Sequence, residues 1–261
     1  MRLIAENLGG ERGGDTVFSG IGFALRDGQA LVVTGPNGSG KSTLLRVIAG
    51  LLPVAEGSVR IEDGGEAFPS IASACHYLGH HNAMKTALSV MENLRFWRDF
   101  NGDGHIGVEA ALETVGLGSI GHLPFGYLST GQRRRAAIAK LLVSHRPLWL
   151  LDEPTAGLDK ASEGRFAALM TRHCEEGGMI IAATHLPLGL DKAEELRMGL
   201  PSPLWGGSIR EAERGGGLPT PALHSHPVSP ASLCEATSPT LPTRARVNGP
   251  QPLTPTAPGR A

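Results

Sequence analysis

The sequence contains no run of 18 uninterrupted apolar residues, so no segment is expected to span a membrane by itself. Its three cysteines, Cys75, Cys174 and Cys234, are an odd number without paired spacing. They give neither a disulfide framework nor a cysteine metal site, and a reducing compartment is the simplest reading. Excess charge is missing as well: the 261 residues carry a formal net charge of −1, with 19% charged side chains. This balance offers no electrostatic ground for binding nucleic acid or an anionic membrane surface. The opening MRLIAENLGG lacks the long apolar core of a secretory signal. No internal repeat is present, and the length suits one good-sized domain or two.

Composition breaks near residue 200. Up to Gly199, apolar segments alternate with glycine-punctuated turns. Beyond it, proline, glycine, serine and threonine dominate, and the periodicities of strand and helix are lost. Such a segment cannot bury enough apolar surface to offset its ordering entropy. Residues 1–199 are therefore expected to fold, and residues 200–261 to form a disordered tail.

Within the folded part, ALVVTG at 30–35 reads as a buried strand running into a glycine-rich turn. STLLRVIAGLLP reads as a helix with Gly50 near its C-cap and Pro53 beyond. GSVRIEDGGE has the alternation and Asp-Gly turn of a hairpin. ACHYLGH, PLWLLDEP and MIIAATH read as further strands, and LSVMENLRFWRDF and HIGVEAALETVGLG as helices. Strands alternating with helices predict an α/β fold, a mostly parallel sheet covered on both faces. Segments 2–8, 16–25 and 57–62 predict a smaller antiparallel sheet.

GPNGSGKST, from Gly35 to Thr43, is a complete G-x-x-x-x-G-K-[ST] loop between a strand and a helix. Gly35, Gly38 and Gly40 let the chain curl, so that the N–H groups of Pro36's successors Asn37, Ser39 and their neighbours can cradle phosphate oxygens. The following helix start adds its dipole. Lys41 can reach the β- and γ-phosphates, and the Ser42 hydroxyl can ligate Mg²⁺. The loop thus points to ATP and Mg²⁺.

PLWLLDEP ends in two acids. Asp152, at the strand end, can hold the metal shell, and Glu153 can orient or activate the attacking water. His185 follows another strand, where it can contact the γ-phosphate at the ligand-binding edge of a parallel sheet. In LSTGQRRRAAIAK, Ser129 and Gln132 have the spacing of a helix capping box. Gly131 fits a first helical turn badly unless something approaches the backbone closely. Arg133, Arg134 and Arg135 are expected on a solvated helix face.

P-loop, LSxGQ-like segment, Asp-Glu strand end, GLD loop and terminal histidine, in this order, resemble the nucleotide-binding domain of the ABC ATPases over about residues 1–198. The resemblance implies that Ser129, Gly131 and Gln132 bind the γ-phosphate of an ATP held by a second copy, and that Asp159 of the GLD loop belongs to the nucleotide site. HYLGHHNAMKTALSVMENLRFW is further similar to the ATP-binding subunits of the bacterial cytochrome c maturation exporter, or haem exporter. That likeness implies a homodimer of ATPase chains beneath integral membrane subunits, on the cytoplasmic face of the bacterial inner membrane. Its hydrolysis would be linked indirectly to haem release.

Two departures stand out. The family usually carries a metal-contacting glutamine after the strand near residue 78; this chain has His81 there, with Asn82 beside it. A neutral imidazole can hydrogen-bond a metal-bound water but prefers softer ions than Mg²⁺. The adenine-stacking aromatic is also missing, and Arg12 stands near its place. Other classes fit worse. There is no N-K-x-D guanine signature, no coiled-coil insertion and no second P-loop. Another ABC cargo remains the alternative.

Overall fold

The computed structural model describes residues 1–102, 104–190 and 192–199, all within the first of the chain's two units, Met1–Glu211. The expected disordered tail at 200–261 lies outside the described residues.

Two long strands, β1 (Arg2–Arg12) and β2 (Asp15–Arg26), pair antiparallel around Gly13 and Gly14. Both glycines have positive φ, which suits a tight reversal. The other edge of β1 takes β4 (Glu56–Glu62), giving a three-stranded sheet in the order β2-β1-β4. Here one expectation fails. GSVRIEDGGE does not fold on itself; β4 pairs back with β1, from Arg2↔Glu62 to Gly9↔Glu56. Asp63 and Gly65 do turn the chain, both at positive φ, but no strand follows at once.

The second sheet is wholly parallel, in the order β5-β6-β7-β3-β8. Its strands are β3 (Ala30–Thr34), β5 (Cys75–Leu78), β6 (Leu148–Asp152), β7 (Met179–Ala183) and β8 (Glu194–Arg197). Helix α1 (Lys41–Ile48) follows β3, and a single turn, α2 (Ile71–Ala74), precedes β5. Helices α3 (Val90–Asn101), α4 (Val108–Thr114) and α5 (Thr130–Leu142) lie between β5 and β6, and α6 (Lys160–Glu175) joins β6 to β7.

The central strands are buried on both faces, and their alternation divides two cores. Leu148, Leu150, Met179, Ile181, Leu31 and Val33 pack with α1 and the antiparallel sheet. Trp149, Leu151, Ile180 and Ala182 pack on the other side with residues of α3 to α6, including the 1%-exposed Phe166. Each such large side chain contributes roughly 1.5–3 kcal/mol by leaving water. Strand β8 was not legible in the sequence: its EELR alternates half-buried with exposed positions, as an edge strand can.

Candidate active site

The phosphate loop joins β3 to α1. Pro36, Asn37 and Gly38 form its exposed crest, while Thr43 is buried behind it. Gly40, the N-cap of α1, has φ 93°, and Gly38 has φ 85°; side chains other than glycine rarely adopt either. A Cβ on Gly35 would collide with the Met198 carbonyl beside β8. Lys41 Nζ donates to the carbonyls of Gly35, at 2.7 Å, and Pro36, at 3.1 Å, and the residue is only 8% exposed. The loop's curl therefore folds an ammonium over its own backbone. Ser39 Oγ is buried there without a hydrogen-bond partner, a cost that an added acceptor or donor removes.

The acid pair meets this loop because β6 lies one strand removed from β3. Ser42 Oγ donates to Asp152 Oδ1 at 2.8 Å. Tyr77 donates to Asp152 Oδ2 at 3.4 Å and receives Arg46 Nε at 3.3 Å. Burial raises the Tyr77 pKa, and its hydrogen bond raises that of Arg46. Asp152 is 5% exposed, so its carboxylate is held by these partners rather than by solvent.

Glu153 has φ 44°, unusual for a residue other than glycine. Such backbone costs of order 1–3 kcal/mol and persists where its surroundings over-determine it. One constraint is the bond from Glu153 N–H to the Ala183 carbonyl, 2.9 Å, at the end of β7. Asp152 pairs with Ala183 in the parallel register, so the two strand ends are neighbours. The chain after β7 turns where Leu186 N–H donates to Thr184 Oγ1. His185 Nε2 then lies 3.1 Å from Glu153 Oε1.

A cleft of about 390 Å³ lies before these groups, lined by Ser42, His80, Asn82, Thr130, Asp152 and Glu153 among others. His80 and Asn82 line it; His81 is exposed, its ring edge-on to His80 with centroids 5.6 Å apart. Asn82 Oδ1 is buried and has no hydrogen-bond partner. Arg12 is exposed beside the β1–β2 turn.

At the start of α5 the capping box is complete. Ser129 Oγ accepts from Gln132 N–H at 3.3 Å, and Gln132 Oε1 accepts from Ser129 N–H at 2.8 Å. A Cβ on Gly131 would stand 3.0 Å from the Gly157 carbonyl, so a close backbone neighbour does exist, within the same chain. Asp159 is the N-cap of α6: Oδ1 accepts from Ser162 N–H at 2.7 Å, and that bond lowers its pKa.

The arginine run departs from expectation. Arg134 is 6% exposed rather than solvated. Arg133 donates to the Gly126 carbonyl, and Arg135 to those of Val115 and Gly116. Three adjacent helical residues point in different directions, and one of them points inward.

Phosphate loop, acid pair and histidine thus share the carboxyl edge of one parallel sheet, with a capped helix start on the same cleft. This is the nucleotide-hydrolysing domain of an ABC-type ATPase. The ABC transporter family model matches residues 18–156. The cytochrome c biogenesis ATP-binding export protein CcmA of Mesorhizobium japonicum is 82% identical over 200 residues, which are 77% of this chain and 99% of that protein. Its namesake from Chelativorans sp. is 68% identical over 199 residues, 76% and 98% of the two chains. The chain belongs to the ABC transporter family and, within it, to the cytochrome c biogenesis ATP-binding export proteins. Among solved structures, the dimeric ABC transporter cassette MJ0796 superposes with a TM-score of 0.65 at 22% identity, covering 76% of this chain and 94% of that one. A Pyrococcus furiosus ABC transporter ATP-binding protein gives 0.65 at 22%, covering 76% and 98%.

Arg46, Tyr77 and Arg134 were not singled out from the sequence as site residues. A tyrosine within a strand and arginines within helices carry no spacing signal of their own.

Proposed function

We propose that the chain hydrolyses ATP at this cleft as the motor subunit of a cytochrome c biogenesis export complex. The observation that carries the proposal is the Ser42–Asp152 hydrogen bond, with Glu153 and His185 beside it. Backbone N–H groups of residues 35–43, the α1 start and Lys41 would hold the triphosphate. The Glu153 carboxylate accepts a proton as water attacks the γ-phosphorus, and ADP leaves. His185 Nε2 orients that carboxylate, and the same N–H would turn to the phosphoryl oxygens once nucleotide is bound.

The donor set fits Mg²⁺. Ser42 Oγ and both Asp152 oxygens are hard ligands, and Asn82 Oδ1 is a buried oxygen lacking a partner in the same cleft. Ser42, Asp152 and Asn82, rather than His81, would surround the ion. When bound, it neutralises charge developing on the β- and γ-phosphate oxygens.

The working form is a head-to-tail homodimer in which Ser129, Gly131 and Gln132 of one copy meet the nucleotide on the loop of the other. The exposed helix start supports this, as does the dimeric cassette of the same fold. Asp159 caps α6 in the loop that flanks that contact. Among the described residues no helix is long and apolar enough to cross a membrane. As in the export role named for its relatives, integral membrane subunits would complete the complex at the cytoplasmic face of the bacterial inner membrane and handle haem. Residues 1–199 form the ATPase domain.

The direct test is Glu153→Gln, which should abolish ATP turnover while leaving ATP affinity nearly unchanged. Retention of turnover would remove Glu153 from its role and with it this mechanism.

A further inference from the structure

Arg134 lies five residues beyond Ser129, in the body of α5. Its guanidinium makes four hydrogen bonds, all to main-chain carbonyls. Nε donates to Pro154 at 3.0 Å, Nη1 to Gly79 at 2.8 Å, and Nη2 to Asp152 at 3.0 Å and Glu153 at 2.7 Å. Three pieces of backbone are therefore tied to one planar group: the helix that begins at Ser129, the Asp152–Pro154 strand end, and the Gly79 end of β5 that leads to Asn82. Burial lowers its pKa, while Asp152 and Glu153 oppose that shift. A guanidinium stays charged in such places, and its rigid fork suits several acceptors at once.

The position of these bonds matters because Glu153 is the residue with φ 44°. Its N–H is held by Ala183, and its carbonyl by Arg134 and by Ala156 N–H at 3.2 Å. The direction of the Glu153 carboxylate follows from that backbone. A displacement of α5 would pull on the Glu153 carbonyl through Arg134 without touching the phosphate loop.

We propose that Arg134 is a positioning residue that couples the Ser129 end of α5 to the Glu153 carboxylate of the same chain. This rests on the head-to-tail dimer proposed above. There, Ser129 serves one nucleotide and Glu153 the other, so the guanidinium links the two sites. Engagement of one site then sets the hydrolytic geometry of the other.

The test uses the full chain with Arg134→Lys, which keeps charge and stem but cannot bridge the separated carbonyls. ATP affinity, read with a fluorescent analogue, should stay within about threefold, because no phosphate-loop atom is lost. Turnover number should fall about 10²-fold, as for a small misplacement of a reacting group. The Hill coefficient for ATP should fall toward one. In a His185→Ala background, which keeps measurable turnover, the same substitution should cost little more, since both act through the Glu153 carboxylate and such losses are non-additive. A wild-type turnover number and Hill coefficient in Arg134→Lys, or fully additive losses in the double variant, would overturn the proposal. If Arg134→Lys does not fold, Arg134→Gln is measured by the same double-variant comparison. Should Glu153→Gln alone leave turnover intact, it is the underlying mechanism that fails, not the coupling.

Discussion

His185 Nε2 and Glu153 Oε1 stand 3.1 Å apart across the ends of two neighbouring parallel strands. Neither side chain is buried; they are 55% and 34% exposed. As an exposed pair it contributes little to stability. Its consequence is orientation: the imidazole limits where a partly solvated carboxylate can point. His185→Ala should lower the turnover number about 10²-fold with little change in melting temperature. Stopped ATPase assays beside calorimetry separate the two. A variant that melts much earlier yet turns over normally would show the pair to be structural.

Asn82 and His81 can be told apart at the metal. Asn82→Ala should raise the Mg²⁺ concentration for half-maximal hydrolysis about tenfold, within the range seen when metal-supporting groups are removed. It should also weaken Mn²⁺ binding to the ATP-loaded chain, followed by electron paramagnetic resonance. His81→Ala should change neither. The reverse pattern would assign the metal to the imidazole.

Whether the Ser129 helix start acts in trans is decided by mixing two inactive forms. Lys41→Ala loses the phosphate lysine, and Ser129→Arg blocks the helix start with bulk. A mixed head-to-tail dimer has one site with both defects and one with neither. Mixing should therefore recover ATP-dependent dimer formation, and adding Glu153→Gln to both chains should prolong it by slowing hydrolysis. If mixing recovers nothing where wild-type chains dimerise, Ser129 and Gln132 are a helix cap alone.

Removing residues 200–261 should leave ATP affinity unchanged and shift the melting temperature by less than about 2–4 °C, the effect of roughly 1 kcal/mol at this size. The composition of that segment, without a packing period, motivates this expectation. A larger drop would place the tail on the domain.

The buried histidines should make the domain less stable in acid. Burial pulls His76 down to about 3 and His173 down to about 4. Unfolded histidine titrates near about 6.5, so the unfolded chain binds more protons below that pH. The stability from neutral burial is complete above about pH 6.5. It falls by at most about 1.4 kcal/mol per histidine per unit as pH drops toward the folded values. Denaturant midpoints at neutral pH and at about pH 5 measure it. His173→Phe, which keeps a ring against Trp149, should flatten the dependence by removing one of the two groups. An unchanged slope would exclude His173 as a source.

The phosphate loop, the strand before it, the acid pair and the Ser129–Gln132 cap were legible in the chain because each is local. A glycine at a positive φ, a run buried on both faces and a side chain that caps its own helix depend on neighbours a few residues away. The apolar runs LWLLD and MIIAA could only be central strands, and the fold places them there. Much of what depends on residues far apart along the chain was not legible. The sequence grouped β4 with β1 and β2 and put Ser42 and Asp152 on one metal site, but it signalled neither the β2-β1-β4 order nor EELR at the sheet edge. Arg134 is the clearest case. In the sequence it is the middle of three arginines at a helix start, where solvent is the common fate of charge. The packing of α5 turns that one side chain inward, and four carbonyls from two strand ends replace the water it loses. Local propensity and periodicity determined which groups the chain carries and on which elements. Which groups meet was decided by the parallel register of β5, β6, β7 and β3, because only long-range packing aligns their carboxyl ends.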